Sequence, residues 1–224
     1  MESDSNKFIR IRIQNWNYWE GQAKDLPELK SIDPLLRRRL SPQGRAALWV
    51  ADQCMNGIGS VRVVYASQHG ELARTLGLIE SLRPEHHDGP SPASFALSVL
   101  NSTPGIYSIA RKDKSPAIAI SSGEESCWCG LLEAGLTQID SNGPVLLIAA
   151  DAPIPSLFLK GETDGTPLRA LAVLIGAEGR EFELSYDDRG GASILDPIAA
   201  LSEAIASGGE WSMKGRTWRL GLRD

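Results

Sequence analysis

Hydrophobic positions alternate first between Phe8 and Ile13, with Ile9, Ile11 and Ile13 on one face and Arg10 and Arg12 on the other. That period of two predicts a half-buried strand. The alternation then stops, and residues 15–34, with Trp16 and Trp19, read as a long irregular loop packed on the domain. Ser41-Pro42 supplies an N-cap and a proline at the first helical position. The helix it opens runs through Ala47, Leu48, Ala51 and Met55 to a stop signal at Asn56-Gly57. Val61 to Ala66 is the next buried strand, and Ser67-Gln68-His69-Gly70 turns it into a helix with Leu72, Leu76, Ile79 and Leu82 on one stripe, ended by Pro84. Residues 85–92 are polar and loop-like, and residues 1–7 read as a frayed start.

The centre of the chain repeats this grammar in its sharpest form. One or two short helices lead to the apolar run Ala117-Ile-Ala-Ile-Ser121, which breaks at Ser122-Gly123 and passes into a helical pattern from Glu124 to about Gly135. A buried strand, a glycine turn and a helix N-terminus in succession set one side chain in a strong local field. Ser141-Asn142-Gly143 then turns into the strand Val145–Ala150. Strands and helices alternating in this way call for a mostly parallel sheet with helices on both faces. After Asp151 the pattern changes. Leu168–Ile175 and Phe182–Tyr186 read as an antiparallel strand pair joined by Gly176-Ala-Glu-Gly179. Asp196-Pro197 opens an amphipathic helix to about Ala206, and Trp211–Leu220 supplies a last strand. No repeat, low-complexity tract or linker intervenes, so residues 8–224 are expected to form one domain, of which 152–224 is a divergent part.

Composition narrows the function classes. The 224 residues carry 42% hydrophobic and 23% charged side chains, enough to bury a core. A net charge of -5 argues against nucleic acid, and Arg37-Arg38-Arg39 is the one compact basic run, read as a solvated cluster before a helix. No apolar run approaches the ~20 residues of a membrane helix. The acidic, polar start is unlike a secretory signal, and three cysteines do not suggest a disulfide framework, so the cytoplasm is the expected compartment.

Each chemical candidate has a plainer competitor. Cys127 and Cys129 lack the second ligand pair that zinc requires, and they read as small buried hydrophobes; no metal or cofactor is expected. His69, in a strand-to-helix turn, could act as a general base or brace the turn. His86-His87 lies in a polar loop without ligand partners. Ser121, Ser122 and Ser126 do not make the G-x-S-x-G of a hydrolase elbow. Glu124 stands in the first helical turn, where a carboxylate can cap the helix or occupy the place in which an α/β sheet keeps its reactive group.

These residues resemble a known family. Ser91-Pro92, Asn101-x-x-x-Gly105, Ile109, Pro116 and the strand-turn-helix after it are similar to the N-terminal half of β-ketoacyl synthases, in the pattern S-P…N-x-x-A-G…G-P. There the nucleophilic cysteine stands eight residues after the proline, in T-A-C-x-S. Eight residues after Pro116 is Glu124, within Ser122-Gly-Glu-Glu-Ser126. Over roughly residues 8 to 151 the chain also resembles the short ketosynthase-like chain-length factors of bacterial aryl polyene pathways, as in RRRLSPQGRAAL, SQHGE and SSGEES. The resemblance implies a thiolase-like α/β half, with a mixed five-stranded sheet, helices on both faces and a divergent C-terminal α+β extension. It departs from the family at the cysteine and in lacking the H-G-T and G-H histidine motifs. A carboxylate is a poor replacement for a thiolate nucleophile.

In function, the resemblance implies a non-catalytic chain-length factor, paired with a full-length ketosynthase that handles the chain on an acyl carrier protein. Pairing would use the strand Ala117, Ile118, Ala119, Ile120 and Ser121. Phe95, Leu97, Ser98, Asn101 and Gly105 would wall the acyl tunnel at the interface. Two alternatives stay open: a stand-alone thioester hydrolase or decarboxylase using Glu124 with His69, and a homodimeric scaffold.

Overall fold

The chain orders its elements as β1 (Phe8–Gly21), α1 (Pro34–Arg37), α2 (Pro42–Met55), β2 (Arg62–Ala66), α3 (Leu72–Ser81), α4 (Pro92–Ala96), α5 (Ser102–Arg111), β3 (Ala117–Ile120), α6 (Ser126–Ser141), β4 (Val145–Asp151), β5 (Leu168–Ile175), β6 (Arg180–Asp187), α7 (Pro197–Ser207), β7 (Gly209–Met213) and β8 (Arg216–Leu222). This computed structural model describes residues 8–223 apart from 56, 86–88, 159–164, 189, 192, 194 and 214. The start at 1–7, the Asn56 stop signal and the His86-His87 pair therefore lie outside the described residues.

The strands form one sheet in the order β3-β2-β4-β5-β1-β6-β8-β7. β2 pairs in parallel with β3 and β4, and the remaining pairings are antiparallel. The class is α/β with a mixed sheet, as expected, but the sheet has eight strands rather than five. The C-terminal extension does not stand apart: β6, β8 and β7 continue the same sheet beyond β1.

These three strands make up the difference in number. The single strand expected over Trp211–Leu220 is two, β7 and β8, paired antiparallel. The first strand also departs from its expected extent. β1 runs on through the tryptophan-rich stretch expected to be a loop, pairing with β6 over Phe8–Ile13 and with β5 over Ile13–Gly21. The register shifts between Ile13 and Asn15. One extra residue at such a bulge inverts the face of everything after it. Ile11, Ile13, Trp16 and Tyr18 thus pack on one core although their numbers change parity, which hides the strand from a test of strict alternation.

The hairpin expected of β5 and β6 is corrected at the same point, because β1 lies between them. Residues 176–179 instead carry the chain across β1 at the bulge. Gly179 (φ +105°) makes this crossing possible, since a Cβ there would lie 2.2 Å from the Ile13 carbonyl oxygen.

Side chains alternate into two cores, one on each face of the sheet. Val63, Tyr65, Leu146, Ile148, Ala170, Ala172 and Leu174 pack with α2 and with Ile106 and Tyr107 of α5. Val64, Ala66, Leu147, Ala149, Leu171 and Val173 pack with α6 and α7. Gly135 lets α6 sit close on β1, because a Cβ there would come within 2.6 Å of Ile11. The apolar stripe expected on α3 is covered only in part: Leu72 and Leu76 are half-buried, Ile79 and Leu82 are exposed, and α3 packs chiefly against α4. Among the described residues, no helix is long and apolar enough to cross a membrane.

Candidate functional site

The parallel strands β2, β3 and β4 end at one edge of the sheet, the usual place for a ligand crevice in α/β folds. Three strand ends meet there. β2 passes into Ser67-Gln68-His69-Gly70, with Gly70 at φ +57°; β3 passes into Ser121–Glu125, with Gly123 at φ +61°; and β4 ends at Asp151. Gln68, His69, Glu124, Asp151, Arg169 and Asp196 share the wall of a cavity of about 470 Å³. The structure thus brings Glu124 and His69, proposed from sequence, to one cavity.

The two neighbouring carboxylates of the β3–α6 turn have separate fates. Glu125 turns back onto the C-terminal strands, accepting a hydrogen bond from Trp218 Nε1 at 3.0 Å and pairing with Arg216 at 2.9 Å. Trp218 in turn stacks on the fully buried Trp128 of α6, with ring centroids 6.4 Å apart. Ser126 holds the turn from inside, its hydroxyl accepting from the Ser122 N–H at 2.9 Å and donating to the Gly123 carbonyl. Glu124 is left exposed toward the cavity. Ser121 is also exposed, and its hydroxyl donates to the Gln68 carbonyl at 3.0 Å, tying the two turns together.

Asp151 is the residue that sequence reasoning missed. Its Oδ1 accepts from Ser67 Oγ at 2.7 Å and from the Gln68 and His69 N–H groups at 2.8 and 3.4 Å. Burial pushes its carboxyl up to about 7, against the lowering effect of those three donors, and the Asp196 carboxylate adds to the rise. A carboxylate at the end of a strand that is otherwise Val-Leu-Leu-Ile-Ala-Ala was the available signal. Behind it, Gln43 Nε2 bonds Tyr65 Oη, Ser67 Oγ and the Ala150 carbonyl, filling the core end of the site. Burial raises the thiols of Cys54, Cys127 and Cys129, Cys54 to about 12, so none is poised as a thiolate. Among the described residues no group of three or more His, Cys, Asp or Glu side chains could hold a metal ion.

The other residues named from sequence lie on β3, on α4 and the segment after it, and on α5. Among the described residues β3 is an edge strand, paired with β2 alone, and Ile118 is 40% exposed. Phe95 on α4 is 64% exposed. Leu97 packs partly on the α2-side core, Ser98 donates to the Phe95 carbonyl at 2.8 Å, and Asn101 and Gly105 are exposed on α5.

The mixed α/β sheet, with a strand, a glycine turn and a buried central helix at its crevice, is similar in fold to the thiolase-like ketosynthases. Within that class the chain belongs to the β-ketoacyl synthase, N-terminal domain family, whose model matches residues 13–208. Solved structures agree on the fold. A chain in the complex of a ketosynthase with its chain length factor from Xenorhabdus doucetiae superposes with a TM-score of 0.78 at 21% identity, covering 95% of this chain and 99% of that one. The ishigamide ketosynthase/chain length factor matches at a TM-score of 0.61 and 13% identity, covering 88% of this chain and 73% of that one. A type II polyketide acyl-carrier protein in complex with its ketosynthase matches at 0.60 and 12%, covering 75% and 63%. No curated protein sequence matches the chain.

Proposed function

We propose that the chain is a non-catalytic chain-length factor that pairs with a full-length ketosynthase and sets the length of an acyl chain held on an acyl carrier protein. Residues 8–224 act as one β-ketoacyl synthase-like domain in this reading. The observation that carries it is the free edge of β3 among the described residues, with Ile118 exposed on the strand and Ile109 exposed on α5 beside it. An apolar edge strand invites a partner strand. The near-complete mutual coverage with a chain from a ketosynthase–chain length factor complex supports it, because the two chains are of similar size. Glu124 then stands at the position of the family's nucleophile, and Phe95, Leu97, Ser98 and Asn101 wall the acyl tunnel. A larger side chain there shortens the product by exclusion.

The test is co-purification of the tagged chain from its host, with the mass and stoichiometry of what accompanies it. A ketosynthase in equal amount is the expected result, lost in Ile118→Lys. A monomer or homodimer with no ketosynthase overturns the reading. One observation favours a second reading, a hydrolase or decarboxylase acting on thioesters: His69, Glu124 and Asp151 share one cavity. That reading requires the isolated chain to turn over an acyl thioester and Glu124→Gln to abolish the activity.

A further inference from the structure

α5 carries a glycine that the chain's own fold does not require. Gly105 lies within the helix, its φ is outside the left-handed region, and a Cβ built on it meets nothing within 4 Å. Glycine in a helix is less favourable than alanine because it gives up more backbone freedom. A position with ordinary φ and open space therefore favours alanine when folding of this chain is the only demand. Other helical glycines answer to internal packing: a Cβ on Gly44, Gly130 or Gly135 would come within 3.1, 2.8 and 2.6 Å of neighbouring side chains. Gly77 on α3 shares the open surroundings of Gly105, but it lines a pocket between α3 and α4 rather than standing beside β3.

The location of Gly105 supplies the missing demand. Asn101, Gly105 and Ile109 succeed one another at a spacing of four and are all exposed. They lie opposite Thr103, Ile106 and Tyr107, which are buried where α5 meets α2 and β3. α5 thus flanks the edge strand with its outer face uncovered. When a second chain of the same fold lays its edge strand antiparallel to β3, a near two-fold axis passes between the strands. The helix beside that second strand then approaches α5 on the same face of the sheet.

We propose that Gly105 is the crossing point at which a helix of the partner ketosynthase packs against α5, backbone close to backbone. This rests on the reading of the chain as a pairing subunit. With no side chain at the crossing, the helix axes can come nearer than the usual 8–10 Å. Ile109, exposed in the single chain one turn further along α5, flanks the crossing and is covered by it.

The experiment compares wild type, Gly105→Ala, Gly105→Leu and Gly77→Ala by thermal melting of the isolated chain and by affinity for the ketosynthase that co-purifies with it. Both alanine variants should melt about 2–4 °C above wild type, as a helix gains a better former. Gly77→Ala should pair like wild type, Gly105→Ala about tenfold more weakly, and Gly105→Leu not measurably. If both Gly105 variants pair as tightly as wild type, the crossing is overturned while the pairing stands. Unchanged pairing of Gly105→Leu with a shorter acyl product also overturns it, assigning Gly105 to the tunnel wall. A wild-type chain that binds no ketosynthase overturns both the pairing reading and the crossing.

Discussion

Replacing Asp151 by asparagine should stabilise the protein above neutral pH, although Asp151 makes three hydrogen bonds. All three are accepted by one oxygen, from Ser67 Oγ and the Gln68 and His69 N–H groups, and the asparagine Oδ1 can accept the same three. What the substitution removes is the ionisation of a buried carboxyl whose pKa is raised from 3.8 to about 7. Between those values the native state keeps a proton that the unfolded chain has already lost. Stability from this group is therefore fully present below pH 4, falls as pH rises toward 7 and is level beyond it. A shift of about 3 units at about 1.4 kcal/mol each gives about 4 kcal/mol, which water at the cavity wall reduces to about 2–4 kcal/mol. The assay is urea unfolding of wild type and Asp151→Asn at several pH values from 4 to 9. Taking the difference between the two proteins cancels the titration of every other group. Asp151→Asn should match wild type near pH 4 and exceed it by about 2–4 kcal/mol at pH 8. A difference that does not change with pH, or a wild type more stable at pH 8, refutes the reasoning. A carboxylate kept at such a cost is what a functional position looks like.

Two further substitutions test the architecture. Gly179→Ala puts a Cβ 2.2 Å from the Ile13 carbonyl in a left-handed backbone conformation, so urea unfolding should show a loss of at least about 3 kcal/mol; a loss below about 1 kcal/mol contradicts the crossing at the β1 bulge. Trp218→Phe keeps an aromatic ring beside Trp128 and Tyr186 but removes the N–H donated to Glu125. It should cost about 1–2 kcal/mol in thermal or chemical unfolding, and an unchanged stability argues against that hydrogen bond.

Much of the candidate site was legible because its signals are local. The strand at Ala117–Ile120, the glycine turn and the helix after it, to Ser141, are written within one continuous stretch, and they place Glu124 without reference to the rest of the chain. His69 was found in the same way, from a turn after a buried strand. Asp151 was not, because nothing adjacent in sequence tells that Ser67 and the turn after β2 will converge on it. The division of labour between Glu124 and Glu125 was hidden for the same reason: it depends on Arg216 and Trp218, some ninety positions away.

The sequence by itself determined most of the succession of strands and helices from α2 to α7, the two-faced burial of the parallel strands and the resemblance to ketosynthases, since each rests on periods of two or near four and on short motifs. Only the tertiary structure decided that β1 lies between β5 and β6, that the C-terminal strands extend the same sheet, and that β3 is left with a free edge. Strand order is a choice among long-range pairings such as Ile13 with Ile175, and a bulge at Gln14 inverts the local pattern that would have revealed it. Periodicity reports which face of an element is buried; what covers that face is settled by segments far away along the chain.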